Sequence, residues 1–355
     1  MPQKSWPCIF VGASVLFTAA GLIPNVQLRA AEPCGQEEIC GLKNPEDMIR
    51  IVDTHWALVS RLARDPQAAG GFSLVDLDRR VARPLSPDVS KPAAAQYAAC
   101  PSAPKVSDLI THGLDIHRLA GGRNEIFAVN HGGRQSVEVF DLEVSDRSVS
   151  LSWKGCVIIP AEVSANAVAA LPDGLAVTSF GSSGDQGTAD LLAGNPTGFV
   201  TRWTPKKGWV RVPTSEFGGD NGVAAAADGS VLYVNDWSDG TLRIVPLNRG
   251  VASATIKLGD FHPDNVHSLG NGNLVIAGQI GAASDIMGCA SQSACAVGSM
   301  IVIVDPKRGS VVSRQSVAAT ATFGAAATAL QDGKDFWLSS FRGDRIVRVE
   351  SKPDP

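Results

Sequence analysis

The sequence predicts an all-β chain folded as a six-bladed β-propeller. Three observations carry this expectation. A phrase made of a turn, a short apolar strand and an alternating strand recurs six times, every ~45–70 residues. The turns carry Gly, Asp or Asn at the places where hairpins need them. Sustained helical periodicity is nearly absent beyond the N-terminal apolar run. A two-sheet sandwich of this length would not return to one phrase so regularly, so six four-stranded blades are the better reading.

The elements follow in order. The apolar strands are "HWALVS" (55–60), "EIFAVN" (125–130), "GLAVTS" (174–179), "SVLYVN" (230–235), "NLVIAG" (273–278) and "DFWLSS" (335–340). Their alternating partners are "GGFSLVDLD", "QSVEVFDLE", "GFVTRWTP", "GTLRIVPLN", "SMIVIVDPKRG" and "GDRIVRVES". The turns include "LPDG", "AADG", "GNGN" and "QDGK". Segments 80–106, 180–197 and 281–298 read as inserted loops, and no linker divides residues 32–355 into two domains.

The N-terminus reads as a targeting segment. Lys4 precedes the apolar run "CIFVGASVLFTAAGLI", and "LRAA" follows. This pattern predicts a signal peptide over 1–31. The run is shorter than the ~20 residues a spanning helix needs, so the mature chain is expected to have no stable membrane insertion. The expectation is export, to a periplasm or the exterior. Cys8 leaves with the signal, and six of the seven cysteines remain. An even count in an exported chain predicts disulfides. Cys34/Cys40 and Cys289/Cys295 could each clip a small loop, leaving Cys100/Cys156 as a long-range bridge. No spacing supports a zinc site. Net charge is −4 with no basic run, which argues against a nucleic-acid partner.

Polar residues recur just upstream of the apolar strands. Glu46 lies nine residues before His55, Asn166 eight before Gly174, Asn221 nine before Ser230, and Asn265 eight before Asn273. Asp264 stands beside Asn265, and His112 holds a similar place before Glu125. In a propeller such positions converge near the axis. One Asn alone would cap a turn. Two carboxylates and three amide oxygens at a shared offset form a hard, all-oxygen set, which suits Ca²⁺. Three of the six histidines, His112, His117 and His131, fall in one segment, "SDLITHGLDIHRLAGGRNEIFAVNHGG". His117 reads as a packed side chain, as do His55, His262 and His267.

These stretches resemble the paraoxonase (arylesterase and lactonase) family, within the superfamily of senescence marker protein 30, gluconolactonase and strictosidine synthase. The similarity runs through "NPEDMIRI", "THGLDI", "FAVNHGGRQSVEVFDLE", "SANAVAALPDGLAVTS", "GGDNGVAAAADGSVLYVND" and "HPDNVHSL". It implies a six-bladed propeller with two calcium ions. A catalytic Ca²⁺ would be held by Glu46, Asn166, Asn221, Asp264 and Asn265. A structural Ca²⁺ would use Asp47 and the backbone carbonyl of Leu114, but the position of its third ligand is Ala167. The resemblance also implies a dyad in which His112 takes a proton from water and His131 assists. The departures are Gln279 at a position that is His in family members, no evident aromatic pocket wall, and no cysteine after Cys295 to close the ring. The implied activity is calcium-dependent hydrolysis of a small-molecule lactone or aryl ester. Two other readings stay open: a calcium-stabilised propeller that binds a ligand or protein without catalysis, and a sugar-lactone hydrolase of the gluconolactonase type.

Overall fold

The computed structural model describes residues 34–62, 71–145, 148–181, 185–248, 252–289 and 292–352. The expected signal segment, 1–31, lies outside them. Among the described residues, twenty-four strands form six four-stranded antiparallel sheets. The first strand of the described residues is β1 (Glu38–Cys40). The first blade is β2 (Met48–Arg50), β3 (Trp56–Arg61), β4 (Gly71–Asp76) and β5 (Val81–Leu85). The second is β6 (Thr111–Arg118), β7 (Asn124–Asn130), β8 (Ser136–Ser145) and β9 (Ser148–Ile158). The third is β10 (Ala165–Leu171), β11 (Gly174–Ser179), β12 (Phe199–Thr204) and β13 (Gly208–Arg211). The fourth is β14 (Asp220–Ala225), β15 (Val231–Asp236), β16 (Thr241–Pro246) and β17 (Ala254–Lys257). The fifth is β18 (His262–Ser268), β19 (Leu274–Ile280), β20 (Gly298–Asp305) and β21 (Ser310–Val317). The last, β22 (Ala326–Asp332), β23 (Asp335–Ser340) and β24 (Arg345–Val349), is completed by β1.

That last pairing closes the ring. Glu38 lies opposite Val347 and Cys40 opposite Arg345, so the two ends of the described chain share one sheet. Buried Arg345 adds a 2.8 Å ion pair to Glu38. A shared strand therefore takes the place of the absent terminal disulfide.

The innermost strands are not the six apolar phrases. Those phrases are the second strands, β3, β7, β11, β15, β19 and β23. The inner ring is β2, β6, β10, β14, β18 and β22, each touching the next, with β22 touching β2. Its sequences, such as "ANAVAAL" and "DNGVAA", are rich in Ala, Asn and Gly. Intrinsic strand preference is weak for these residues. They serve here because backbones near the axis crowd together. A Cβ on Gly113 would sit 2.6 Å from Ala167 Cα, and one on Gly222 would sit 2.4 Å from the Asp264 carbonyl oxygen.

The core lies between neighbouring sheets, where Val, Leu, Ile and Phe interdigitate. The three inserted segments hold more structure than loops. Strand β5 lies within 80–106, and two short helices, α1 (Asp185–Leu192) and α2 (Ala283–Gly288), lie within the other two. Disulfides join Cys34 to Cys40, Cys100 to Cys156 and Cys289 to Cys295, as the sequence pairs them. Three such bonds fit an oxidising compartment. Among the described residues, no helix is long and apolar enough to cross a membrane.

Candidate metal and catalytic centre

Five inner strands carry a bulge at the same end. Between Thr111 and Leu114, Ala165 and Val168, Asp220 and Val223, Pro263 and Val266, and Ala326 and Thr328, the pairing with the second strand slips. Each slip leaves one extra residue on the inner strand. A bulge re-aims side chains, and bulges gather beside active sites for that reason. The bulged pairs are His112–Gly113, Asn166–Ala167, Asn221–Gly222 and Asp264–Asn265, with Ala327 in the last blade. Glu46–Asp47 takes the matching place just ahead of β2.

The first residue of each pair lines one cavity of about 410 Å³. Glu46, His112, Asn166, Asn221 and Asp264 meet there, and His131 joins them. Asn265 is tied in from behind, its Nδ2 donating to Glu46 Oε1 at 2.7 Å and to Thr328 Oγ1 at 3.0 Å. Side chains of the second strands grip the backbone of the next blade at this level. Thr178 donates to the Asn221 carbonyl at 2.6 Å, Asn235 to that of Asp264 at 2.7 Å, and Ser339 to that of Glu46 at 3.0 Å.

The donor set is short of partners of its own. The side-chain carbonyl oxygens of Asn166 and Asn221 are buried, and no donor among the described residues reaches them. Asp264 is 6% exposed, and burial, followed by the nearby Glu46 carboxylate, pushes its carboxyl well up. Gln279 offsets part of this, donating to Asp264 Oδ2 at 2.7 Å while its own Oε1 accepts from Trp237 Nε1 at 3.1 Å. Buried acceptors without donors are costly. A hard cation among them would relieve that cost, and the oxygen-only set fits Ca²⁺.

The histidines form a chain. His112 Nδ1 lies 3.0 Å from His131 Nε2, and His131 Nδ1 lies 2.7 Å from Gln135 Oε1. His112 Nε2 lies 3.5 Å from Glu46 Oε2. Asn130 sets this geometry from below. Its Oδ1 accepts from the Ile110 and Gly132 amides, and its Nδ2 donates to the Gly132 and Arg134 carbonyls. The two histidine-bearing segments are thereby joined.

The cavity also has an aromatic wall, contrary to expectation. Phe180, Trp237 and Phe341 line it, with Leu62, Ile110, Ile286 and Met287. The expectation looked for tyrosines, and the wall is built from Phe and Trp. Its rule is positional. Leu62, His131, Phe180, Trp237 and Phe341 each follow the last residue of a second strand. Reading one residue past the phrases would have found His131, Phe180 and Phe341, and reading two past would have found Leu62 and Trp237. Helix α2 supplies Ile286 and Met287, and the Cys289–Cys295 bond clips its end.

Asp47 and Leu114 lie outside this cavity. The Leu114 amide donates to Asp47 Oδ2 at 2.7 Å, and His267 Nε2 lies 2.7 Å from Asp47 Oδ1. Burial pushes the Asp47 carboxyl up, but His267 and its hydrogen bonds hold it below its ordinary value. A larger cavity of about 570 Å³ opens at the other ends of the inner strands, lined by Asp115, His117 and His267. It holds no pair of histidines in contact, so the smaller cavity is the candidate centre. His262 sits in the site's outer packing, its Nδ1 2.9 Å from the Trp237 carbonyl.

No protein-family model matches the chain, and no curated protein sequence does. Solved structures resemble it. One is described as a putative gluconolactonase, with 13% identity, a TM-score of 0.50, and coverage of 89% of this chain and 93% of that one. Another is a luciferin-regenerating enzyme, with 13% identity, a TM-score of 0.52, and coverage of 88% and 93%. At this identity the likeness establishes a shared fold, the six-bladed β-propeller.

Proposed function

We propose that this chain is an exported, calcium-dependent hydrolase of lactones or aryl esters, in the superfamily of gluconolactonases and paraoxonases. The observation that carries the reading is one cavity in which a pair of hydrogen-bonded histidines faces a cluster of buried carboxylate and amide oxygens. A purely binding propeller has no need of a base beside its metal. Glu46, Asn166, Asn221, Asp264 and Asn265 are the residues that would hold Ca²⁺. Bound there, the ion would polarise a substrate carbonyl and stabilise the oxyanion that develops on it.

The protein's own groups supply the proton chemistry. Gln135 Oε1 can only accept, so His131 carries its proton on Nδ1 and presents a lone pair at Nε2. His112 then donates from Nδ1 and keeps its lone pair on Nε2, on the Glu46 side. A neutral imidazole so oriented takes a proton from water near neutral pH. His131 stabilises the imidazolium that results. The wall of Phe180, Trp237 and Phe341 excludes bulk water and packs against an apolar substituent.

The test is a panel of lactones, aryl esters and phosphotriesters, assayed with calcium and with chelator. Turnover of at least one lactone or ester, abolished by chelator, is expected. His112→Gln should lower kcat by about 10²- to 10⁴-fold with calcium affinity nearly intact. Glu46→Gln should lose calcium and activity together. Calcium binding without turnover on any substrate would instead favour the non-catalytic binder.

A further inference from the structure

We infer that the chain holds a single cation, and that His267 stands in for a second one at Asp47. This deepens the proposed reading of the site and rests on the Glu46 cluster being where the one cation goes. Asp47 is 1% exposed and lies one residue from Glu46, so it too needs compensation. The protein supplies that compensation itself. Oδ1 accepts from the Met48 amide at 2.7 Å, Thr328 Oγ1 at 2.9 Å and His267 Nε2 at 2.7 Å, while Oδ2 accepts from the Leu114 amide at 2.7 Å. Both oxygens of the carboxylate are thus engaged by the protein, Oδ1 by three donors and Oδ2 by one, against about four lone-pair sites in all.

Asp115, which also acts on His267, is engaged by the protein in the same way, its oxygens accepting from the Ile116 amide at 2.8 Å and the Ala170 amide at 2.7 Å. Ala167, at the bulge beside Gly113, has no side-chain oxygen to offer and belongs to an apolar cluster. The two strands approach closely there, a Cβ on Gly113 lying only 3.2 Å from the Ala167 methyl. Across the ring, His267 comes from β18 and Thr328 from β22, so the knot ties two later blades to the first. A bound ion would brace the tunnel in the same way. The contrast with the Glu46 cluster is direct. There, the amide oxygens of Asn166 and Asn221 have no donor among the described residues, whereas at Asp47 both carboxylate oxygens accept from the protein.

The experiment is calcium stoichiometry by titration calorimetry and elemental analysis on the mature wild-type chain and three variants. The wild type should bind one equivalent. Glu46→Gln should abolish it, and Asp47→Asn should leave its Kd within about threefold. His267→Ala, which uncovers Asp47, should take up a second, weaker equivalent. Calcium should then raise its melting temperature further than that of the wild type. Two equivalents in the wild type overturn the inference whether or not the variants fold. So does loss of the single equivalent in Asp47→Asn, or a His267→Ala chain that gains neither calcium nor stabilisation by it. A wild type that binds none refutes the Glu46 site but agrees with a metal-free Asp47.

Discussion

Replacing Gly222 with Ala tests whether close approach of inner strands sets the site. The added Cβ would lie 2.4 Å from the Asp264 carbonyl oxygen and 2.7 Å from Asn265 Cα and the Val266 amide. All three are backbone atoms, so no side chain can swing aside. Strands β14 and β18 must separate, and they carry Asn221, Asp264 and Asn265. Overpacking of this kind costs about 1–3 kcal/mol. Unfolding entropy of roughly 2.1 cal/mol/K per residue gives ~0.65 kcal/mol/K for a unit of this size, so the melting temperature should fall by about 2–5 °C. Calcium affinity should fall too, by about tenfold for each 1.4 kcal/mol of distortion borne by the ligands. The control is Gly270→Ala, whose Cβ meets nothing within 4 Å. Calorimetric melting with and without calcium, beside a calcium titration, reads both effects. If Gly222→Ala melts and binds calcium as Gly270→Ala does, the ring tolerates separation and the packing argument fails.

Three further outcomes are expected. His131→Gln should lower turnover less than His112→Gln, because it tunes the base without being it; equal losses in steady-state kinetics would make the two histidines one functional unit. Converting Cys100 and Cys156 to Ser opens a loop with a sequence separation of 56 and should cost about 4 kcal/mol by chain entropy, against ~2.4 kcal/mol for Cys289 and Cys295 with a separation of 6. Denaturant melts that rank these two pairs the other way would contradict the entropic account. Trp237→Phe removes the donor to Gln279 Oε1 and leaves a buried acceptor unpaired, so it should destabilise by about 1–3 kcal/mol in urea.

Much of the fold was legible because the second and third strands of each blade are packed on their faces. Such strands carry Val, Ile, Leu and Phe in alternation, and their hairpins carry Gly with Asp or Asn. The inner strands were not legible. Around a ring of six blades the space narrows toward the axis, and Ala, Gly and Asn fit there where Val would not. A sequence such as "ANAVAAL" therefore reads as a turn approach. Helices α1 and α2 were missed for a different reason. Six to eight residues are too few for a periodic pattern to emerge.

The candidate site was found through the strand it failed to recognise. Asn166 stands eight residues ahead of Gly174 because β10 and a two-residue turn lie between them. A similar offset recurs at Asn221 and Asn265, nine residues before Ser230 and eight before Asn273, so counting back from a visible strand lands on the invisible one's bulge. A bulge has no residue signature, since Gly, Ala and Asn each follow a cavity-lining residue here. Its presence therefore had to come from pairing register. The wall escaped because it lies at the opposite end of the visible strands, where Leu62, His131, Phe180, Trp237 and Phe341 stand one or two residues beyond the phrases. His267 escaped because a histidine in a strand is ordinarily a packed one. Only the 2.7 Å approach of Nε2 to a buried carboxylate sets it apart. Floor and wall thus come from two ends of one hairpin, repeated around the axis. Moving a blade's register by one residue would withdraw an inner-strand ligand and a wall side chain together.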